Sequence, residues 1–242
     1  MRDWLAADWT APPTVRAGTT FRRGGVSQGP YATLNLGGHV GDDAVAVAEN
    51  RQRLVTACYL PGEPQWLEQT HSASIIRLPH DEPMPCADAA VTERAGTVCA
   101  VLTADCLPVV FAHHAGGAVG VAHAGWRGLS AGILEATALA LGKPADLVAW
   151  LGPAISRAAY EVGDEVRQAF VAHEPAAADC FAKNSAGRWQ ADLYALARQR
   201  LAAIGLNEVY GGGRCTFSED EHFFSYRRDG QCGRMATFVW RE

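Results

Sequence analysis

The centre of the chain carries three apolar runs, Thr97–Thr103, Leu107–Ala112 and Ala118–Ala122, with Gly116-Gly117 between the last two. Short apolar runs bounded by turn residues predict strands buried on both faces. Asp146–Leu151 predicts another such strand, and Met235–Trp240 a final one. Helical spacing appears elsewhere. It covers residues 43–58, which start acidic and stop before Pro61-Gly62, and Leu129–Leu141, which stops at Gly142 and Pro144. Glu165–His173 and Asp192–Ile204 are amphipathic, the second closed by Gly205. Residues 16–41 are rich in Gly, Arg, Ser and Asn and predict loops between short strands. No internal repeat, low-complexity tract or linker interrupts this mixture, so the expectation is one α/β domain over residues 1–242.

Composition narrows the classes. A net charge of −5 leaves no broad basic surface for nucleic acid, though a small basic pocket for one phosphate stays open. No stretch approaches the roughly 18 apolar residues that cross a bilayer. Met1-Arg2-Asp3-Trp4-Leu5 lacks a signal peptide's apolar core, so a cytoplasmic location is expected. Seven cysteines without a CxxC pair point to free thiols rather than a disulfide frame.

Three segments place a metal ligand or nucleophile beside small residues. They are Gln69-Thr70-His71-Ser72-Ala73, Thr103-Ala104-Asp105-Cys106-Leu107-Pro108 and His123-Ala124-Gly125-Trp126-Arg127-Gly128. Two imidazoles and a thiolate form a three-ligand set of the kind that holds a catalytic zinc with one position open. Val119, Val121 and His123 share a strand face, so a buried imidazole there needs a partner, either a metal or a structural hydrogen bond. Cys106 sits at a bend before Pro108, and core packing, zinc ligation and nucleophilic attack compete for it. The ligands are 35 and 17 residues apart, a spacing that decides nothing by itself. Asp105 either orients a ligand or caps a turn. Arg127, at the start of the Leu129 helix, suits an anion or simply caps that helix. Arg22-Arg23 and Arg227-Arg228 are solvated pairs or phosphate contacts, Asn35 is a turn residue or a pocket amide, and His39 sits in a glycine-lined loop open to a pocket. His80, His173 and His222 read as surface residues, and His113 and His114 as a hairpin end.

These segments closely resemble the YfiH-type family, also labelled laccase-domain or multicopper polyphenol oxidoreductase proteins. The resemblance runs through Arg23-Gly24-Gly25-Val26-Ser27, Leu34-Asn35-Leu36-Gly37, Val40-Gly41-Asp42-Asp43 and Ala87-Asp88-Ala89. It continues in Leu151-Gly152-Pro153-Ala154-Ile155, Tyr160-Glu161-Val162-Gly163 and Phe224-Ser225-Tyr226-Arg227-Arg228-Asp229. It implies zinc held by His71, Cys106 and His123, with Asp105 and Asp88 as second-line or proton-transfer candidates. It also implies a four-layer α-β-β-α sandwich similar to certain toxin cysteine hydrolases. The implied activities are phosphorolysis of adenosine, inosine, guanosine and methylthioadenosine, and deamination of adenosine. Arg127, Arg227, Arg228, Arg23, Asn35 and His39 then become candidates for substrate or phosphate. The family's other readings are copper-dependent phenol oxidation and a Cys–His hydrolase editing peptidoglycan precursors. One Cys and two His suit a single zinc, although affinity order alone ranks copper above zinc. A multicopper oxidase needs more histidines than this set supplies. A metal-binding partner protein without turnover is the remaining alternative.

Overall fold

In a computed structural model, residues 4–242 are described; the first three residues, part of the leader reading above, lie outside them. The strands and helices begin β1 (Trp4–Ala6), β2 (Val15–Thr20), α1 (Ala44–Ala57), β3 (Ile75–Arg77), β4 (Ala89–Thr92), β5 (Cys99–Thr103), β6 (Leu107–His113) and β7 (Val119–Ala124). There follow α2 (Trp126–Ser130), α3 (Ile133–Leu141), β8 (Leu147–Leu151), β9 (Glu161–Val162), α4 (Asp164–Val171), β10 (Phe181–Lys183) and β11 (Trp189–Ala191). The last are α5 (Leu193–Ala203), β12 (Val209–Gly211), α6 (Tyr226–Asp229) and β13 (Met235–Arg241).

The strands form a six-stranded sheet, β12-β8-β6-β7-β4-β3, a four-stranded sheet, β1-β2-β13-β5, and a small β10-β11-β9 sheet. The four-stranded sheet is antiparallel throughout. The six-stranded sheet is antiparallel except at its two edges, where β12 and β3 run parallel to their neighbours.

Period-two alternation explains the layering. In the four-stranded sheet, Ala100, Leu102, Ala236 and Phe238 face outward onto Leu54 and Cys58 of α1 and its end. Their neighbours Cys99, Val101 and Val239 face inward, against Val110, Val121 and Trp150 of the six-stranded sheet. That sheet's other face sends Leu107, Val109 and Phe111 against Leu134 and Ala138 of α3 and Leu201 of α5. The order is therefore α-β-β-α, as expected. Both sheets are buried on both faces, which is why their strands read as continuous apolar runs. Phe238 alone, fully buried, contributes roughly 1.5–3 kcal/mol of transfer free energy.

The chain departs from the sequence expectation at Leu129–Leu141. Gly132 adopts φ 92°, a left-handed conformation that ends α2 and caps α3, so one expected helix is two. Residues 226–229 form a one-turn helix, capped where the Ser225 hydroxyl accepts the Arg228 N–H.

Candidate metal centre

The site forms where β7 ends, β6 begins and the loop before β3 crosses over them. His123 stands on the inter-sheet face at the end of β7 and is 4 % exposed. Its Nδ1 hydrogen-bonds Asp88 Oδ1 at 2.8 Å, and its backbone N–H donates to the Asp88 carbonyl at 2.7 Å. With Nδ1–H donating to the carboxylate, Nε2 is the ring nitrogen left to face the site, and it can bind a metal once it gives up its own proton.

Asp88, immediately before β4, is fully buried and also positions His71. Its carboxylate accepts the N–H groups of Thr70, His71 and Ser72 and the Ser72 hydroxyl, at 2.6–3.2 Å. This nest of donors holds His71 at φ 63°, a conformation that a non-glycine residue keeps only when its surroundings enforce it. Gln69 anchors the other end of the loop. Its amide donates to the Leu102 carbonyl at 3.0 Å and accepts the Leu102 N–H at 2.7 Å. The His71 loop is thus fastened to both large sheets.

Cys106 lies in the β5–β6 turn, half-buried, behind Asp105 at φ 93°. The Asp105 carboxylate accepts the Thr216 hydroxyl at 2.6 Å and the Arg227 N–H at 2.7 Å, and its carbonyl accepts Ile155 N–H at 2.9 Å. Asp105 is therefore occupied in fixing the turn that aims Cys106.

Cys106 Sγ and His71 Nε2 are 3.9 Å apart, and ligand atoms of His71, Cys106 and His123 all lie within 4.8 Å of one another. A zinc with bonds of about 2.0–2.3 Å fits this set after a small inward closure. Among the described residues this is the one group of three His, Cys, Asp or Glu able to hold an ion, which suits a mononuclear centre rather than several coppers. Gly125 lies directly beneath. A Cβ there would come within 3.0 Å of both Cys106 Sγ and His71 Cδ2. Gly125→Ala is expected to spread the donors and weaken metal binding, by an amount comparable to losing an orienting partner, about 10–100-fold. Competition with a chromogenic chelator measures it.

The electrostatics fit a ligand set. Burial raises Cys106, but His123 and His71 outweigh it and bring the thiol down to about 6. Burial lowers His123, but the Cys106 thiolate and Asp88 outweigh it and raise the imidazole to about 9. Burial also opposes ionisation of Asp88, yet hydrogen bonds from His123 and Ser72 hold it well below the usual carboxylate range. A metal must displace the proton on His123, so its affinity rises with pH up to about 9. The expected slope is one decade per pH unit between about 6 and 9, steepening below about 6 where Cys106 also protonates. A pH series of metal titrations checks it; a flat profile would remove these residues as ligands.

The other sequence candidates disperse. Exposed Arg127 lies over the Trp126 ring at 4.5 Å. Exposed Arg227 donates from its guanidinium to the Glu161 carbonyl at 2.8 Å and lies over the Tyr160 ring at 5.4 Å. All five Arg228 donors are spent, on the Thr216, Phe217 and Phe223 carbonyls and the Asp229 carboxylate, leaving none for a phosphate. Arg23 pairs with Glu221 on the surface at 3.5 Å. Asn35 is buried, binding Asp42, Gly37 and the Arg234 N–H. His39 is exposed, and burial of its ring with the nearby Arg234 and Arg51 lowers its pKa. The polar contacts of Arg23 and Asn35 involve none of the three ligands.

Tyr160 was absent from the sequence candidates. Burial and the Cys106 thiolate raise its pKa, while Arg227 and Arg127 oppose them, so its phenol lies within electrostatic reach of the ligand group and both arginines. It precedes β9 in an irregular segment whose polarity pattern carries no periodic signal.

A four-layer α-β-β-α fold with a Cys-His-His group, two of its members at the ends of central strands and the third on a crossing loop, defines the class. The family described as multi-copper polyphenol oxidoreductase laccase matches residues 16–242, and the chain belongs to it. The chain is 50% identical over 243 residues to the purine nucleoside phosphorylase YfiH of Escherichia coli (strain K12), covering 99% of each. It is also 50% identical over 242 residues to a purine nucleoside phosphorylase of Pseudomonas aeruginosa, again covering 99% of each. A solved Neisseria meningitidis protein, NMB0706, superposes with TM-score 0.94 at 48% identity over 99% of both chains. YlmD from Geobacillus stearothermophilus superposes with TM-score 0.87 at 35% identity, covering 97% of this chain and 96% of that one. No helix among the described residues is long and apolar enough to cross a membrane.

Proposed function

We propose that this chain is a single-domain, zinc-dependent purine nucleoside enzyme. Its reactions are phosphorolysis of adenosine, inosine, guanosine and methylthioadenosine to the base and (methylthio)ribose 1-phosphate, and deamination of adenosine to inosine. The observation that carries this reading is the group of His71, Cys106 and His123, whose ligand atoms all lie within 4.8 Å of one another. The relatives' names support phosphorolysis as the principal activity.

His71, Cys106 and His123 would hold the ion. When bound, zinc supplies a Lewis acid that lowers the pKa of a water and polarises a substrate atom. Asp88 keeps the His123 proton on Nδ1 and the His71 loop in register. Asp105 holds Cys106 in place through the chain beyond it. Arg127 and Arg227 bind and orient phosphate, and the Tyr160 ring offers a flat apolar surface to a base.

The test is metal analysis of the purified protein, then adenosine with and without phosphate and separation of products. Adenine formed only with phosphate, inosine formed without it, and loss of both on chelation are expected. Adding Arg127→Ala and Arg227→Ala together is expected to raise the KM for phosphate by at least about tenfold, the loss of a charge-assisted hydrogen bond, while deamination continues. Equal loss of both reactions would remove the arginines as phosphate ligands. Replacing Arg227 leaves its backbone N–H on Asp105, so the turn survives.

One observation favours a second reading. Cys106, His123 and Asp88 also form a thiolate–imidazole–carboxylate relay, the arrangement of a cysteine hydrolase acting on an amide such as a peptidoglycan precursor. That reading requires turnover that survives chelation and is lost on thiol alkylation.

A further inference from the structure

We propose that His39, Arg51 and Arg234 form a second anion site, which takes a phosphate group at the Cys106 end of the four-stranded sheet. The segment Gly37-Gly38-His39 runs between the two arginines. A Cβ on Gly37 would lie 2.9 Å from Arg234 Cγ, and one on Gly38 would lie 3.9 Å from Arg51 Nη2. Arg234 directly precedes Met235, which pairs with Thr103 at the end of β5, three residues before Cys106. Arg51 projects from α1 and lies over the Trp66 ring at 4.4 Å, in the segment that leads to His71.

The donors of this cluster are open. Among the described residues, His39, Arg51 and Arg234 take part in no ion pair. Arg51 spends Nε and Nη2 on the Leu36 carbonyl, at 3.2 and 3.1 Å, and keeps Nη1. Arg234 spends Nη1 on the Cys232 and Gly233 carbonyls, at 2.9 and 3.1 Å, and keeps Nε and Nη2. Those two form the side edge of a guanidinium, the fork that grips two phosphate oxygens at once. Both arginines are half-buried, and their unspent nitrogens are not closed off from solvent, so a ligand can reach them. Glu63, which opposes the effect of burial on Arg51, is itself engaged by Trp66 Nε1 at 3.0 Å. Two positive charges are thus held near one imidazole, and burial with both arginines lowers the His39 pKa. A doubly charged anion balances them. Donors from three side chains suit the several oxygens of a phosphate group better than the two of a carboxylate. The frame is preformed. Buried Asn35 accepts the Arg234 N–H at 2.9 Å and donates to Asp42 at 2.8 Å, and buried Asn50 donates to the Asn35 carbonyl at 2.9 Å. A satisfied buried network of this kind makes the loop it holds rigid. Free phosphate and a phosphate ester present the same group. Exposed Tyr226, whose ring centroid is 5.8 Å from the Arg234 guanidinium, offers a surface to the rest of an ester. The site does not rest on the nucleoside reading.

The experiment is proton NMR of the His39 ring, its signals assigned with His39→Gln. The full chain is titrated with inorganic phosphate and with ribose 5-phosphate at constant ionic strength. Saturable shifts are expected, with a rise in the His39 pKa, because a neighbouring anion favours the imidazolium. By linkage, phosphate binds more tightly as pH falls through that pKa. Arg234→Gln is expected to weaken binding by at least about tenfold, the loss of hydrogen bonds to a charged group. Its main-chain N–H keeps the bond to Asn35, and near-UV circular dichroism verifies the fold. Arg234→Lys, which keeps the charge and loses the fork, is expected to weaken binding as well and serves if the Gln variant does not fold. Arg127→Ala with Arg227→Ala is expected to leave the His39 response unchanged. His39 signals that do not move, shifts that rise without saturation, or an unchanged response in the folded Arg234 variants overturn the site. Tighter binding of ribose 5-phosphate than of inorganic phosphate assigns the site to an ester, and the reverse assigns it to the free ion. No turnover enters the measurement, so failure of this site and failure of the nucleoside reading are told apart.

Discussion

Cys106→Ala is expected to strip the protein of zinc and to lower both phosphorolysis and deamination by about three orders of magnitude, while the chain stays folded. A metal ligand contributes several kcal/mol of transition-state charge stabilisation, and each 1.36 kcal/mol is tenfold in rate. The thiolate is the softest and the one anionic donor of the three, so its loss removes both charge and selectivity for zinc. The fold survives because Cys106 contributes little apolar packing; the turn around it is held by Asp105, Thr216 and the Arg227 N–H. Metal content by mass spectrometry, steady-state rates on adenosine, and near-UV circular dichroism together decide the matter. Full zinc with full turnover would sink the assignment of the site. Full zinc with no turnover would turn attention to Cys106 as a nucleophile.

Asp88→Asn is expected to damage stability and metal binding together. The carboxylate accepts from three consecutive N–H groups, a hydroxyl and an imidazole, all while fully buried. An amide of the same shape has one acceptor oxygen and turns an NH2 group toward those donors. Removing one partner of such a buried charge network costs about 3–5 kcal/mol. For a chain of this size that is a fall in Tm of about 6–20 °C. The metal affinity falls further, about 10–100-fold, because His123 loses the group that fixes its tautomer. The acid dependence changes in a defined direction. Asp88 is depressed below its unfolded value, so its stabilisation is present above the ordinary carboxylate range and drains away as pH falls toward the depressed value. The variant is expected to lose that part of the acid sensitivity. A Tm at neutral pH equal to the wild type would show that Asp88 is not the clamp described above.

The central strands were legible because burial on both faces leaves a signature of continuous apolar sequence, bounded at Cys106 and at Gly116-Gly117. Two of the three ligands could be placed with them, at strand ends. His71 could not be placed that way. Its position depends on Asp88, 17 residues later, and on a left-handed backbone imposed by that carboxylate. Spacing carries no record of such a contact. The break at Gly132 was hidden for a related reason: a glycine within a helical pattern is tolerated, and tertiary packing decides whether it becomes a cap. The short strands β9, β10 and β11 have two or three residues each, too few for alternation to rise above noise, and Tyr160 beside them was missed with them. Arg228 looked suited to phosphate in sequence because charge alone is visible there, whereas the carbonyls that consume its donors are not.

The position of β13 has a consequence for synthesis on the ribosome. Its residues 235–241 pair with both β2 and β5, so they fill the middle of the four-stranded sheet. Until the last of them has been polymerised and has left the exit tunnel, β2 and β5 have open edges facing each other. Elongation at about 5–20 residues per second leaves those apolar edges uncovered for several seconds. Such a nascent chain invites chaperone capture. Its four-stranded sheet closes only once β13 has emerged from the tunnel and slid between β2 and β5.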